Sequence, residues 1–113
     1  MAKNEKILRE ELGLTDADII HVPLVFKRNG WSLWPNTVNG LVLDKHFICP
    51  KPFGPVIDGA DAIETELATS LREVGITTHF VDVFDAYSSM AGECHCGTNA
   101  VREITVKDAR TKR

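Results

Sequence analysis

No stretch of this 113-residue chain approaches the ~20 consecutive apolar residues of a membrane-spanning helix. The start, Met1-Ala2-Lys3-Asn4-Glu5-Lys6, lacks the apolar segment of a secretory signal and leads into a charged helical pattern. A membrane is therefore not an expected partner. Basic charge is not concentrated either: 13 Lys and Arg stand against 16 Asp and Glu, a net charge of -3. Binding to nucleic-acid phosphates needs clustered cations, so it too is excluded from the expectations. The one basic cluster, Arg110, Lys112 and Arg113, reads as a solvated tail. Cysteine is scarce, with three residues at uneven spacing. An odd, uneven set does not make a disulfide framework, and reduced thiols in the cytoplasm are the expectation. There is no internal repeat and no low-complexity run.

What is present is a mixed helix and strand pattern of a length that suits one domain or a piece of one. Residues 4–12 read as a helix, with Ile7, Leu8, Glu11 and Leu12 giving a partial apolar stripe and Gly13 available as its left-handed cap. Thr15-Asp16-Ala17-Asp18 is a turn. Residues 19–26 form an apolar, β-branched run of strand length, and Pro23 within it argues for an edge, a bulge or an early break. Residues 38–48 predict one or two strands turning at Asp44-Lys45. The three prolines and the glycine of residues 49–55 exclude a helix or a central strand and predict a stiff surface loop. Residues 61–74 are the clearest helix: Ile63, Leu67, Leu71 and Val74 share one face, Asp61 and Glu64 resemble a capping box, and Gly75 closes the end. Strands are expected over residues 76–84 and 101–106. The sum is an α/β fold.

Candidate chemistry centres on Gly92-Glu93-Cys94-His95-Cys96-Gly97-Thr98-Asn99. A thiol must ionise to attack, and its unperturbed pKa is about 8.5. Glycines on both sides of Cys96 let the loop expose a sulfur and bring backbone N–H groups close to a substrate. A buried structural thiol remains the competing reading. His95 is adjacent, and adjacent side chains in an extended segment point apart, so it is not assigned as a base. The same alternation places Cys94 and Cys96 on one side. Structural zinc normally takes paired ligands from four residues, and Cys49, His21, His46 and His79 do not supply the spacing. Trp31, Trp34 and Phe53 could wall a ligand, but packing is the favoured reading. His46 and His79 read as isolated core or surface histidines, and Asp82 and Asp85 as solvated caps.

Four blocks then carry a resemblance. Trp34-Pro35-Asn36-Thr37-Val38-Asn39-Gly40-Leu41-Val42-Leu43 resembles the P-N-x-V-N-x-L-V-L segment of peptidylarginine deiminases. Pro50-Lys51-Pro52-Phe53-Gly54-Pro55-Val56-Ile57 is similar to their P-K-P-F-G-P-V-I, and His95-Cys96-Gly97-Thr98-Asn99 to their H-C-G-T-N. Glu10-Glu11-Leu12-Gly13-Leu14 resembles their R-E-L-G-L. The blocks keep their order and cover most of residues 8–102. The resemblance implies that residues 1–113 are a C-terminal fragment of a protein-arginine deiminase-like catalytic domain. It implies a partial pentein, the five-bladed guanidino-group-modifying α/β propeller, here about one blade plus flanking strands. Cys96 would be the nucleophile that converts peptidyl-arginine to peptidyl-citrulline and ammonia through a cysteine thiouronium. Gly92 and Glu93, just before it, are candidate substrate-binding residues. The family depends on calcium, whose ligands the resemblance puts upstream of this segment. Two guanidinium-holding aspartates and an acid–base histidine also belong upstream, so the chain is expected to be incomplete alone. Expected partners are peptidyl-arginine proteins and either a second copy or an upstream part of the same protein, because an open propeller fragment exposes apolar edges.

The chain departs from the vertebrate pattern in having Met90-Ala91 where those enzymes carry Arg-His, the Arg helping to hold the substrate backbone. It also ends in Lys107-Asp108-Ala109-Arg110-Thr111-Lys112-Arg113 rather than an aromatic-rich tail. Two other functions stand beside this one: a non-catalytic α/β module binding a peptide or partner, which the missing His and Asp residues motivate, and an amidino-group enzyme acting on a free guanidino compound, with which Met90 is compatible.

Overall fold

The computed structural model describes residues 2–102. Helix α1 (Ala2–Leu12) ends at Gly13, whose φ of 67° is the left-handed conformation a helix stop favours. Arg9 locks its polar face, with Nη2 2.7 Å from Glu5 and Nη1 2.8 Å from Asp16. The apolar stripe is half exposed at Ile7, Leu8 and Leu12, so the described residues leave this face without cover. The Thr15–Asp18 turn is a short 3-10 turn over Asp16–Asp18.

Residues 19–26 do not form the expected strand. Only Phe26 pairs, in an isolated antiparallel bridge to Ser32, across a turn in which Lys27 N–H donates to Trp31 O at 2.7 Å. A strand exists through its neighbour, and among the described residues nothing pairs with 19–24, where Pro23 also lacks a donor.

The main sheet has three strands, with residues 46–50 in the middle between 41–43 and 77–81. Strand β1 (Leu41–Leu43) turns at Asp44, φ 51°, into antiparallel β2 (His46–Pro50), with Leu41 opposite Ile48 and Leu43 opposite His46. The expected Asp44-Lys45 turn is therefore present. Cys49 and Pro50, expected in a loop, instead complete the middle strand. Pro50 is its last residue, and the neighbouring Lys51 N–H supplies the bond to Val81 O at 2.8 Å, so the missing proline donor does not interrupt the ladder. Beyond it, β3 (Val56–Ile57) and β4 (Ala60–Asp61) form a small hairpin. Asp58 and Gly59 turn it with φ of 51° and 81°, the left-handed pair that two-residue hairpins use.

Helix α2 (Ala62–Glu73) starts on Asp61, whose Oδ1 accepts from Ile63 N and Glu64 N at 2.9 and 3.1 Å. Oδ2 accepts from Gly54 N at 2.6 Å, so one carboxylate caps the helix and fastens the proline-rich loop to it. Gly54 is required there: a Cβ would come within 2.6 Å of Ile63 Cγ1. Ile63 and Leu67 are buried as the periodicity predicts, while Val74, at the C-cap, is half exposed. Gly75 then turns the chain into β5 (Thr77–Val81), which is parallel to β2. Such a pair requires a crossover, and α2 supplies it. The expected strand over 76–84 is thus shorter at both ends. Thr78 and Phe80 are half-buried and Thr77, His79 and Val81 exposed. The core gathers Cys49, Leu67, Ile63, Pro50, Pro52, Thr37 and Cys94. The strand expected over 101–106, and the basic tail, lie outside the described residues except for Val101 and Arg102.

Candidate active site

From β5 the chain enters a series of tight turns. Asp82 Oδ1 accepts from Phe84 N at 3.1 Å, the capping role expected of it. Tyr87 N and Ser88 N both donate to Val83 O, and a 3-10 turn over Ser88–Met90 follows. Ala91 ends this turn with φ 64°, after which Gly92 N donates back to Tyr87 O at 2.9 Å. Glu93 then ties two distant segments together. Its Oε1 accepts from Asn36 N at 3.1 Å and its Oε2 from Ser88 Oγ at 2.7 Å. Residues 94–97 form a turn, with Gly97 N donating to Glu93 O. Gly97 makes room for Tyr87, whose ring would lie 2.5 Å from an added Cβ.

This turn undoes the expected alternation. Cys94 is buried and Cys96 exposed, so the two sulfurs face different surroundings, and all three cysteines are free. Asn39 binds the loop twice. Its carbonyl accepts from His95 N at 3.2 Å, and its Nδ2 lies 3.5 Å from Cys96 Sγ. The side-chain contact, followed by the backbone at Glu93, favours the thiolate and lowers the Cys96 pKa from its ordinary value; burial and the Glu93 charge partly oppose this. The other thiols move the opposite way. Burial, with Glu93 behind it, raises Cys94. Burial, then Cys94 and Glu64, pushes Cys49 up to about 12. An exposed sulfur with a depressed pKa is the combination that makes a thiol reactive, and here it belongs to Cys96.

Beside this loop lies an open cavity of about 740 Å³, whose lining includes Trp31, Trp34, Asn36, Asn39, Phe84 and Glu93. A neighbouring one of about 440 Å³ is bounded by Trp34, Phe53, Asp82, Phe84 and Asp85. Phe53 and Phe84 meet edge to face at 6.2 Å. Packing was the expected role of Trp31, Trp34 and Phe53, yet Trp31 and Phe53 are 57% and 49% exposed, and all three aromatics line these cavities. The structure thus brings Cys96, Glu93 and Asn39 together with Gly92 alongside. His95 is exposed and makes no side-chain hydrogen bond to Cys96. Among the described residues no His or Asp side chain hydrogen-bonds Cys96, and no three His, Cys, Asp or Glu residues cluster as metal ligands. Sequence reasoning gave no role to Asn39, which sits in the Trp34–Leu43 block, because local spacing does not announce a partner 57 residues away; it also missed Ser88, which reaches its partner Glu93 only through the turn between them.

The structure shows an exposed free thiol favoured as thiolate, a glycine-flanked loop and an aromatic-walled cavity beside it, in a small mixed α/β domain. Comparison with known proteins gives the family. Residues 1–107 match the family model for protein-arginine deiminase. The chain is 44% identical over 103 residues to protein-arginine deiminase type-3 of Mus musculus and 43% identical over 104 residues to type-4 of Homo sapiens. It is 39% identical over 103 residues to type-1 of Mus musculus. Each of these alignments takes in 88% of this chain and 16% of the relative. The chain belongs to the protein-arginine deiminase family and spans about one-sixth of the length of these relatives. Among the described residues, no helix is long and apolar enough to cross a membrane.

Proposed function

We propose that this chain supplies the nucleophile of a peptidyl-arginine deiminase, with Cys96 as the attacking residue. The observation that carries the reading is the Asn39–Cys96 contact, which leaves an exposed sulfur favoured as thiolate, held by an asparagine that itself lines the cavity. In the reaction, Sγ attacks the guanidinium carbon and forms a C–S bond. The bond to one terminal nitrogen breaks, and that nitrogen leaves as ammonia after gaining a proton. Water then attacks the thiouronium carbon and gives up a proton. The C–S bond breaks, thiolate is regenerated, the second proton of that water is lost as the carbonyl forms, and citrulline remains. Acid–base catalysis of these proton transfers and a cation to be held in place are implied. The described residues near Cys96 offer Glu93 on the cavity wall, but no His or Asp side chain among them hydrogen-bonds the thiol. The reading therefore assigns the acid–base histidine and the guanidinium-holding aspartates to a part of the protein outside this segment. Gly92 and Glu93 are the substrate-binding candidates of this reading: Glu93 lines the cavity, and its carboxylate keeps lone pairs that a substrate N–H can share.

Calcium takes 6–8 oxygen ligands. The described residues do not fit such a site: no acidic cluster forms, and the carboxylates of Glu93 and Asp61 are committed to N–H and O–H donors. No step of this chain is routed through calcium, and a calcium requirement would reside elsewhere in the protein. A partial pentein blade accounts for the uncovered apolar positions, among them Leu12, Val56 and Ile57, as surfaces packed by an upstream part of the same protein. Three free thiols suit a reducing, cytoplasmic setting.

The test measures citrulline from a peptidyl-arginine substrate with calcium, using the 113-residue chain, alongside site-resolved alkylation of the three thiols. The expected result is no turnover, with Cys96 alkylated ahead of Cys94 and Cys49. Turnover by the chain that disappears in Cys96→Ser would overturn its incompleteness. Cys96 reacting no faster than the buried thiols would overturn the nucleophile.

A further inference from the structure

The smaller of the two cavities, of about 440 Å³, has walls of a single electrostatic sign. Its aromatic residues are Trp34, Phe53 and Phe84, its charged ones are Asp82 and Asp85, and among the described residues no Lys or Arg lines it. Phe53 and Phe84 meet edge to face, with centroids 6.2 Å apart and planes at 85°. One face of each ring therefore bounds a right-angled corner. Both rings are about half exposed, so they are not spent on the core.

The backbone holds this corner in place. Phe53 has φ 51°, a left-handed conformation that bulky residues rarely adopt. It stands between Pro52, which is fully buried, and Gly54, whose N–H donates to Asp61 Oδ2 at 2.6 Å. Phe84 is fixed on both sides: its N–H donates to Asp82 Oδ1 at 3.1 Å, and its carbonyl accepts from Ser89 N at 2.9 Å. Asp82 Oδ2 is left without a partner among the described residues. Asp85 uses only its backbone carbonyl, which accepts from Ser89 Oγ at 3.2 Å, so its carboxylate is unengaged among the described residues. Both carboxylates are exposed.

Aromatic rings are negative at their faces, and the two aspartates add formal negative charge. A cation on an apolar stem suits such a corner, with its charge over the rings and its methylenes against them. The molecule already contains one such contact. Lys51 Nζ lies 5.8 Å from the Phe53 centroid, reaching the ring from an adjoining cavity while Glu64 holds it at 3.5 Å. Two faces at right angles suit a compact ammonium better than a planar guanidinium, which stacks on one face.

We infer that Trp34, Phe53, Phe84, Asp82 and Asp85 form a binding site for an alkylammonium group, the lysine side chain of a peptide partner. Trp34 and Phe84 also line the larger cavity beside the cysteine loop, so a peptide lying there can place a lysine in the smaller one. Binding uses neither Cys96 nor turnover, so the site stands or falls apart from the deiminase reading.

The probe is Nα-acetyl-lysine amide, titrated into the 113-residue chain under reducing conditions and followed by proton NMR. Saturable shifts of the Trp34, Phe53 and Phe84 ring protons are expected, and ring currents should move the probe's ε-methylene upfield. Phe53→Leu, Phe84→Leu and Asp85→Asn should each weaken binding by about two- to fivefold, the scale of an exposed cation–π contact. Asp58→Asn, at an exposed acid in the β3–β4 turn outside this cavity, should leave binding unchanged. The neutral Nε-acetyl form of the probe should not bind, and capped arginine should bind less tightly than capped lysine. The upfield shift reads the site in the unsubstituted chain. No saturable shift, equal binding of the Nε-acetyl form, tighter binding of capped arginine, affinity retained in both phenylalanine variants, or shifts centred on Trp31 and Asn39 overturns the site.

Discussion

Replacing Glu93 by glutamine separates what this side chain does for the loop from what its charge does to the thiol. The carboxylate accepts from Asn36 N and Ser88 Oγ at 3.1 and 2.7 Å. Hydrogen bonds to a charged group contribute about 1.5–3 kcal/mol each, and neutral ones about 0.5–1.5. Glutamine keeps an oxygen for Asn36 N–H and can present its amide N–H to Ser88 Oγ, which then accepts. For a half-buried group the net loss is about 1 kcal/mol, whereas Glu93→Ala, which strands both donors, should cost about 3 kcal/mol. With a urea m-value of about 1–3 kcal/mol/M, the glutamine variant should lower the unfolding midpoint by roughly 0.3–1 M. The thiol should respond in the other direction. The Glu93 charge opposes ionisation of Cys96, so removing it should shift the iodoacetamide rate profile of Cys96 to lower pH. The chain would be less stable and its Cys96 thiol more easily ionised. Unchanged midpoints in both variants would refute the clamp. A profile shifted to higher pH would refute the electrostatic account, because it would mean that Asn39 and the Glu93 backbone lose their hold on the sulfur without the carboxylate.

Asn39→Ala should move the Cys96 alkylation profile to higher pH, since the amide is the largest influence lowering the thiol; an unmoved profile would exclude that contact. Leu67→Ala, at a position 1% exposed, should cost about 2–5 kcal/mol in urea unfolding followed by circular dichroism; a loss below about 1 kcal/mol would mean that α2 is not held by its apolar face. Alkaline pH should destabilise the fold. Cys49 is raised from 9.0 to about 12, so the native state favours the neutral thiol, and its contribution, complete below about pH 9, is lost as pH climbs toward 12. That loss is about 1.4 kcal/mol by pH 10, and Cys49→Ala should flatten the decline of the thermal midpoint between pH 9 and 10.5, leaving the share due to Cys94. Cys96 has the opposite sign and acts below pH 9, where stability should fall as the thiolate is protonated. A midpoint that declines equally steeply in Cys49→Ala would contradict the assignment.

Local rules made some elements readable and left others hidden. Helix α2 was legible because its apolar spacing, the Asp61 cap and Gly75 all state the same element, although Asp61 accepts from Gly54 N as well as from Ile63 N and Glu64 N. The turn between β1 and β2 was legible from Asp44-Lys45. The strand expected over 19–26 failed because strand propensity without a neighbour in the described residues makes no ladder. Pro50 misled in the other direction: proline at a strand end costs no bond when the next residue donates. Asp58-Gly59 carried a hairpin signal that the run of prolines before it obscured. In the site, flanking glycines pointed to Cys96, but the assumption of extended backbone misplaced Cys94. Asn39, and the pair that His46 Nδ1 and His79 Nε2 make at 2.9 Å across β2 and β5 where isolated histidines were expected, depend on contacts across the fold, which neighbouring residues in sequence do not encode.

The most direct test of the deiminase reading is a graft. Residues 1–102 replace the matching segment of protein-arginine deiminase type-3 of Mus musculus, to which the chain is 44% identical, and citrulline formation from a peptidyl-arginine substrate is measured with calcium. The account predicts turnover that Cys96→Ser abolishes while the graft keeps its folded circular dichroism spectrum. A folded graft that forms no citrulline, or one whose activity survives Cys96→Ser, would contradict Cys96 as the nucleophile.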